Sequence, residues 1–308
     1  MGMKTNLSKN DLEKIISNYD IGKYRGFKIF ARGGVQTTLL LITTKGKYVL
    51  RYYEHRSKDW VLFEIKLSNY LKMKKYPLPG ILKNYLGKFI SEYKNKPYVI
   101  MEYSPGKHYQ NPNNSFNKKR TLELIKVISE LHKLTKNHSE LSKGHEQFNI
   151  KYCLREYRKI SRKIDVVKRE KWLKNELNKL EFPKSLPSGI CHADLNHGNF
   201  LFINNKIIAV LDFDMAFYTN LIYDLASAIY WWAWPPKKGF ILYRAKYIVK
   251  NYSKFRGISL LEKKHIYDYL KLIILLGIAW SEDKDFEPEK EKIEFLNSKG
   301  REEFYNNL

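Results

Sequence analysis

The sequence predicts an α+β protein of two lobes, with an antiparallel sheet in the N-terminal lobe and a mainly helical C-terminal lobe. Three observations carry this. Short apolar runs of strand type, punctuated by glycine, fill much of the chain up to Tyr103. Ser104-Pro105-Gly106 then breaks the pattern. From Thr121 onward apolar residues recur at helical spacing, interrupted by one more pair of strand-like runs around Asn204-Asn205. The boundary is therefore expected at 103/104, giving lobes of residues 1–103 and 104–308.

Asn10 to Asn18 reads as a short leading helix with Leu12, Ile15 and Ile16 on one face. Phe27–Phe30, Thr38–Thr43 and Tyr48–Tyr53 read as strands of a meander, joined through Gly33-Gly34 and Lys45-Gly46. A glycine turn can let backbone N–H groups approach a phosphate, although hairpins use glycine routinely. Val49 and Arg51 share one face of the third strand. Ser57 to Lys72 has helical character, and Leu62, Ile65, Leu67 and Leu71 make its apolar stripe. Glu64 is expected on a different face, where it can meet Arg51. Such a pair positions nucleotide phosphates in kinases; the plainer reading is an exposed strand Arg and a solvated helix Glu. Strands follow near Phe89–Tyr93 and Tyr98–Tyr103, so the backbone of Glu102 and Tyr103 is placed to hydrogen-bond an adenine.

In the second lobe Leu124, Ile125, Ile128, Leu131 and His132 repeat at helical spacing. His132 reads as a satisfied core histidine rather than a catalyst. Tyr152 to Leu180 is basic and helical, with Tyr157, Ile160, Ile164, Trp172 and Leu177 as its buried side and a turn expected near Asp165. Asp224 reads first as a helix N-cap. Tyr230 to Pro236 is unusually aromatic, serving either packing or a substrate wall. Tyr243–Tyr252 and Leu260–Trp280 are again helical, and the tail from Glu282 carries charges of mixed sign.

The most informative stretch is Ile190 to Asp212. Phe200–Ile203 and Ile207–Leu211 are apolar runs flanking Asn204-Asn205, a pair that tolerates turn geometry, so they read as a hairpin. A hairpin returns its far end to its start, which brings Asn199 beside Asp212, with Asp194 on the loop feeding the same end. Mg²⁺ prefers such hard oxygen ligands, a few from protein and the rest from substrate phosphates and water. Asn199 and Asp212 fit as metal ligands, leaving Asp194 to receive or orient an acceptor hydroxyl. Kinase phosphoryl transfer uses these parts in this order; a plain polar loop is the rival reading, and the register with Asp212-Phe213-Asp214 argues against it.

Bulk properties bound the choice. The chain has 308 residues, 44% of them apolar, enough for a real core. Cys153 and Cys191 make no disulfide framework and read as buried thiols of a reducing compartment. Met1 to Lys14 lacks a signal-peptide core, Asn6 stands where a myristoylation signal wants Ser or Thr, and the longest apolar run, Leu272–Trp280, is too short to span a bilayer. A cytoplasmic protein without membrane attachment is expected. The formal charge of +24 is spread among scattered Lys and Arg residues, with no recognised nucleic-acid module. A solvated basic surface is the default, an anion-binding surface the rival, and nucleic acid is not the expected partner.

The order of parts resembles the aminoglycoside phosphotransferase and choline kinase family, relatives of protein kinases with a two-lobe protein-kinase-like fold. The motifs are CHADLNHGNFLF, IAVLDFD and YDLASAI, all between residues 190 and 229. The resemblance implies Asp194 as catalytic base, Asn199 and Asp212 as Mg²⁺ ligands, and His192 as a brace of the loop, supported by Asp224. It places Arg51 and Glu64 in the phosphate-positioning pair. It further implies ATP, for which the residue reading above offers Gly33, Gly34, Val49, Glu102 and Tyr103 as well. Within the family the N-terminal lobe, YDIGKYRGFKIFARGGVQTTLLLITTKGKYVLRYYE, is similar to type II homoserine kinases. That implies a small-molecule hydroxyl acceptor of the homoserine type. Choline, an aminoglycoside or a sugar are alternatives. His197 stands where family loops commonly have Pro or a small residue. Spore-coat proteins of the same fold make a non-catalytic scaffold the rival from another class.

Overall fold

The computed structural model describes residues 5–30, 36–109, 116–142, 145–160, 166–280 and 286–308. The chain divides into two compact units, residues 1–110 with 197–214, and residues 111–196 with 215–308. Where the sequence led us to expect a linear division at 103/104, the second segment of the first unit is the 197–214 hairpin.

In the first unit, α1 (Lys9–Ile16) starts at Ser8, whose hydroxyl accepts from the Asp11 N–H while the Asp11 carboxylate accepts from the Ser8 N–H. This reciprocal cap satisfies two helix-end donors at once. A five-stranded antiparallel sheet follows: β1 (Tyr24–Ile29), β2 (Thr37–Thr43), β3 (Gly46–Tyr52), β4 (Ser91–Tyr93) and β5 (Lys96–Glu102), in the order β1-β2-β3-β5-β4. The two-residue period of the strands sorts its side chains. Leu39, Leu41, Leu50, Tyr52, Tyr98 and Ile100 pack with Leu12, Ile15 and Ile16 of α1. The alternate residues lie on the other face, where Val99 packs with Val61 and Ile65 of α2 (Lys58–Met73). Arg51 pairs with Val99 across β3 and β5, so it shares that second face.

The face of α2 differs from the expected stripe. Val61, Glu64, Ile65, Ser68 and Leu71 are buried and Leu62 is 42% exposed. Glu64 is thus not on a solvated face; a 61/64/68/71 row at helical spacing carries it inward with the apolar residues.

The remaining strands of this unit are β6 (Lys107–His108), β8 (Phe200–Ile203) and β9 (Lys206–Val210), in the order β6-β8-β9. The expected hairpin forms, with Phe200 opposite Val210 and Ile203 opposite Lys206. Its turn residues Asn204 and Asn205 both have positive φ, 49° and 66°, the geometry that two-residue hairpins favour. Pairing of β6 with β8, and the Val210 N–H on the Pro77 carbonyl at 2.8 Å, tie the hairpin to the sheet-bearing part of the chain.

The second unit is helical. It contains α3 (Lys118–Thr135), α4 (Ile150–Ile160), α5 (Val166–Asn178), α6 (Ile222–Ala233), α7 (Leu242–Phe255), α8 (Leu260–Trp280) and α9 (Phe286–Asn306). Its one sheet among the described residues pairs β7 (Ser188–Cys191) with β10 (Phe217–Asn220). The basic region after Tyr152 is two helices; the expected turn at Asp165, and Ile164, lie outside the described residues, as do Gly33 and Gly34. Within the charged tail, residues 286–306 are helical apart from a kink at Gly300, where φ is +69°. Phe286, Ile293, Leu296 and Phe304 are buried, and Arg301 grips Asp268 of α8 with two N–H groups at 2.8 and 3.0 Å. Both cysteines are free and buried. Among the described residues no helix is long and apolar enough to cross a membrane.

Candidate active site

The first unit assembles a charge cluster at the open end of the β8–β9 hairpin. β9 ends at Val210, and the Leu211 N–H donates to the Asn199 carbonyl at 2.8 Å, which holds the entry and exit of the hairpin together. Asn199 is buried at the end of a short 3₁₀ turn. Asp212 follows with φ of +62°, a left-handed conformation uncommon for a residue with a side chain and often found at functional sites.

Arg51 donates from Nη2 to the Asp212 Oδ1 at 2.7 Å, and its Nε lies 4.0 Å from the Glu64 Oε1. The Glu64 Oε2 accepts from the Tyr53 hydroxyl at 2.8 Å. Arg51 and Glu64 are 7% and 6% exposed, so the pair expected from sequence is present and dry. Burial pushes the Glu64 carboxyl up to about 7, with Arg51 pulling down and Asp214 and Asp212 adding repulsion. Arg51 is desolvated too, yet its carboxylate neighbours hold it firmly charged. Arg51 therefore has two carboxylates, of which Asp212 is the nearer; sequence reasoning named only Glu64.

Asp214 is the third acid and was not singled out in the sequence. It is 6% exposed and accepts from Arg56 Nε at 2.9 and 3.1 Å and from Nη2 at 2.8 Å. Glu64, Asp212 and Asp214 thus face two arginines. The surplus of acid, on hard oxygen donors, suits a divalent cation. Asn199 and Asp212 fit the metal role on donor chemistry.

The Glu102 N–H donates to the Gly80 carbonyl at 2.8 Å. Its amide donor is thereby engaged within the chain. The Glu102 carboxylate accepts from Lys72 and from the Gly80 N–H. Val49 is half-buried opposite Met101, on the face of Arg51.

His192 and Asp194 belong to the second unit, directly after β7. Asp224 organises them. It is not an N-cap, because α6 begins at Ile222 and Leu221 caps it without a side-chain bond. Standing inside the first turn, Asp224 accepts the His192 and Ala193 N–H groups, each at 2.8 Å, and His132 Nε2 at 3.1 Å. The acceptor carboxylate fixes the His132 proton on Nε2, so Nδ1 takes the Tyr252 hydroxyl. Burial lowers the pKa of His132, which stays neutral in this chain of bonds.

His132, Cys191 and Asp224 lie close enough to suggest a metal centre. Both His132 nitrogens and both Asp224 oxygens are engaged in hydrogen bonds, and burial raises the Cys191 thiol well above its usual range, so we assign them to the network instead.

Ala193 has φ of +67°, a second left-handed residue, pinned by Asp224. Asp194 is half-buried; its Oδ2 accepts from Asn196 at 2.7 Å. His192 is 1% exposed, and its Nδ1 accepts the Asp194 N–H at 3.4 Å. Two further residues of α6 hold the loop: Ser227 Oγ accepts the Leu195 N–H at 3.4 Å, and Trp232 Nε1 donates to the Leu195 carbonyl at 2.9 Å. Trp234, from the same aromatic run, packs with Phe240 and Phe295. The i, i+3 spacing of Asp224 and Ser227 was the available signal for that loop support.

Residues 26–257 match the family model described as "Phosphotransferase enzyme family". A homoserine kinase of Bartonella henselae is 28% identical over 283 residues, covering 90% of this chain and 84% of the relative. A homoserine kinase of Rhodospirillum rubrum is 26% identical over 264 residues, covering 84% and 80%. Among solved structures, an amicoumacin kinase in complex with AMP-PNP, Ca²⁺ and Ami superposes with a TM-score of 0.69 at 17% identity, covering 97% of this chain and 94% of that one. A microcompartment-associated aminopropanol kinase gives 0.62 at 15% identity, covering 94% of each chain. These structural likenesses show the fold.

Proposed function

The chain belongs to the phosphotransferase enzyme family, and on that footing we propose that it moves the γ-phosphate of ATP to the hydroxyl of a small amino alcohol, homoserine foremost. The observation that carries the reading is the cluster in which Arg51, Arg56, Glu64, Asp212 and Asp214 converge on the hairpin carrying Asn199. The two homoserine kinase relatives support the choice of acceptor.

Asn199 and Asp212 would hold Mg²⁺, which when bound offsets the charge of the triphosphate. Arg51, kept charged and nearly dry, binds phosphate oxygens, and Glu64 with Tyr53 fixes its direction. Val49 covers the base, while the Glu102 carbonyl and Tyr103 backbone meet its edge. Asp194 accepts the acceptor hydroxyl's proton or orients that hydroxyl toward phosphorus. Its loop is held by Asp224, Ser227 and Trp232, so catalysis is positioning and electrostatics. A reaction drawing on cellular ATP places the protein in the cytoplasm.

The test is acceptor-dependent ADP release with Mg²⁺–ATP and homoserine, choline, ethanolamine, aminopropanol, kanamycin and ribose in parallel. Homoserine is expected to give the highest kcat/KM. An aminoglycoside or sugar in first place overturns the acceptor, and release that no hydroxyl compound raises above background counts against transfer itself.

A further inference from the structure

Asp212 and Asp214 are two residues apart, yet the chain treats them differently. Arg51 reaches Asp212 through one Nη, at a carboxylate 41% exposed. Asp214 is enclosed: Arg56 takes both its oxygens, and Trp60 Nε1 donates to its backbone carbonyl at 2.9 Å. The Arg56 guanidinium carbon sits 4.1 Å from the centre of the Trp60 ring, so the indole backs the fork that grips the acid. Arg56 precedes α2 by two residues and Trp60 lies in its first turn. Between the two gripped points and Val210, Asp212 takes its left-handed backbone.

We infer that Arg56 and Trp60 are positioning residues for the metal–nucleotide site: they sequester Asp214 so that Asp212 is the sole carboxylate this segment offers to the cation. The inference rests on the nucleotide-site reading above. Its physical reason is charge and ligand number. Mg²⁺ keeps most of its water and takes one or two protein oxygens in strict octahedral geometry, whereas Ca²⁺ accepts six to eight ligands in looser arrangements. Released from Arg56, a second carboxylate two residues from Asp212 adds a ligand and a negative charge beside the triphosphate. That disfavours the nucleotide and favours the larger ion.

The experiment measures AMP-PNP binding by calorimetry, with Mg²⁺ and separately with Ca²⁺, for wild type, Arg56→Met, Arg56→Lys, Asp214→Asn and the Arg56→Met/Asp214→Asn double variant. Melting without ligand is recorded alongside. Arg56→Met is expected to weaken Mg²⁺–AMP-PNP binding about tenfold, the loss of one charged hydrogen-bonded pair, and to shift preference toward Ca²⁺. Arg56→Lys, keeping charge without the fork, falls between. The decisive comparison is the double variant, which removes the stray charge and therefore recovers most of the Mg²⁺ affinity lost in Arg56→Met. A clamp that merely staples the fold predicts the reverse: Asp214→Asn as damaging as Arg56→Met, and no recovery in the double. That result overturns the inference, as does an unchanged Mg²⁺/Ca²⁺ ratio in Arg56→Met. Wild-type protein that binds no nucleotide refutes the underlying site reading instead, a different outcome from wild-type binding that no variant alters.

Discussion

Replacing Asp224 by alanine removes the acceptor around which the loop of His192 and Ala193 is folded. The carboxylate is fully buried and takes two backbone N–H groups at 2.8 Å and one imidazole N–H at 3.1 Å. Each hydrogen bond to a buried charge contributes about 1.5–3 kcal/mol, and leaving its partner buried and unsatisfied adds a desolvation cost. The two backbone donors alone give about 3–6 kcal/mol, a large share of the roughly 5–15 kcal/mol that holds a typical protein together. The left-handed Ala193 also loses the bond that keeps it there. Asp224→Asn keeps the shape and one acceptor oxygen but turns an NH₂ toward a donor, so about half the loss is expected. Urea unfolding followed by tryptophan fluorescence, with the slope fitted as well as the midpoint, measures both. A loss below about 1 kcal/mol in Asp224→Ala, the range of an ordinary surface substitution, refutes the claim that this carboxylate organises the loop.

Three further outcomes follow from the same geometry. Glu64 has a folded-state pKa of about 7 against 4.5 for the free group, so the folded protein binds the extra proton and the stability it brings is lost as pH rises through 7. Glu64→Gln should therefore flatten the fall in melting temperature as pH rises from 4.5 to about 7, and an unchanged profile contradicts the burial argument. Arg51→Met should abolish the Mg²⁺–ATP-dependent rise in melting temperature, because a ligand stabilises only through the folded state it binds; a full-sized shift in that variant removes Arg51 from the site. Burial raises the Cys153 thiol to about 12 and pushes Cys191 well above its usual range, so neither should react with a thiol reagent at pH 8 until urea unfolds the chain. Rapid labelling of the native protein contradicts their placement.

The hairpin was readable from sequence because its signals are local. The Asn204-Asn205 turn between matched apolar runs sets the hairpin register, and the register brings Asn199 to Leu211 and Asp212. Alternation along β3 similarly put Val49 and Arg51 on one face. What was misread depended on partners distant in sequence. Asp224 has the composition of a cap, but its acceptors are satisfied by a loop 31 and 32 residues away, which no helix-start rule anticipates. Leu62 was placed on the apolar stripe, although the buried row is set by what the sheet offers Val61 and Ile65. In the tail, the four buried apolar residues of α9 are diluted among charges that themselves bind α8, Arg301 to Asp268 above all. Arg56 carries no local signal, since its meaning comes from an aspartate 158 residues later.

The most direct measurement is a paired one on Asp194→Ala: homoserine-dependent ADP release, and the melting shift on adding Mg²⁺–ATP. A residue that serves the acceptor hydroxyl rather than the nucleotide should lose turnover by at least about 100-fold while keeping the shift close to wild type. Wild-type turnover in this variant contradicts the account.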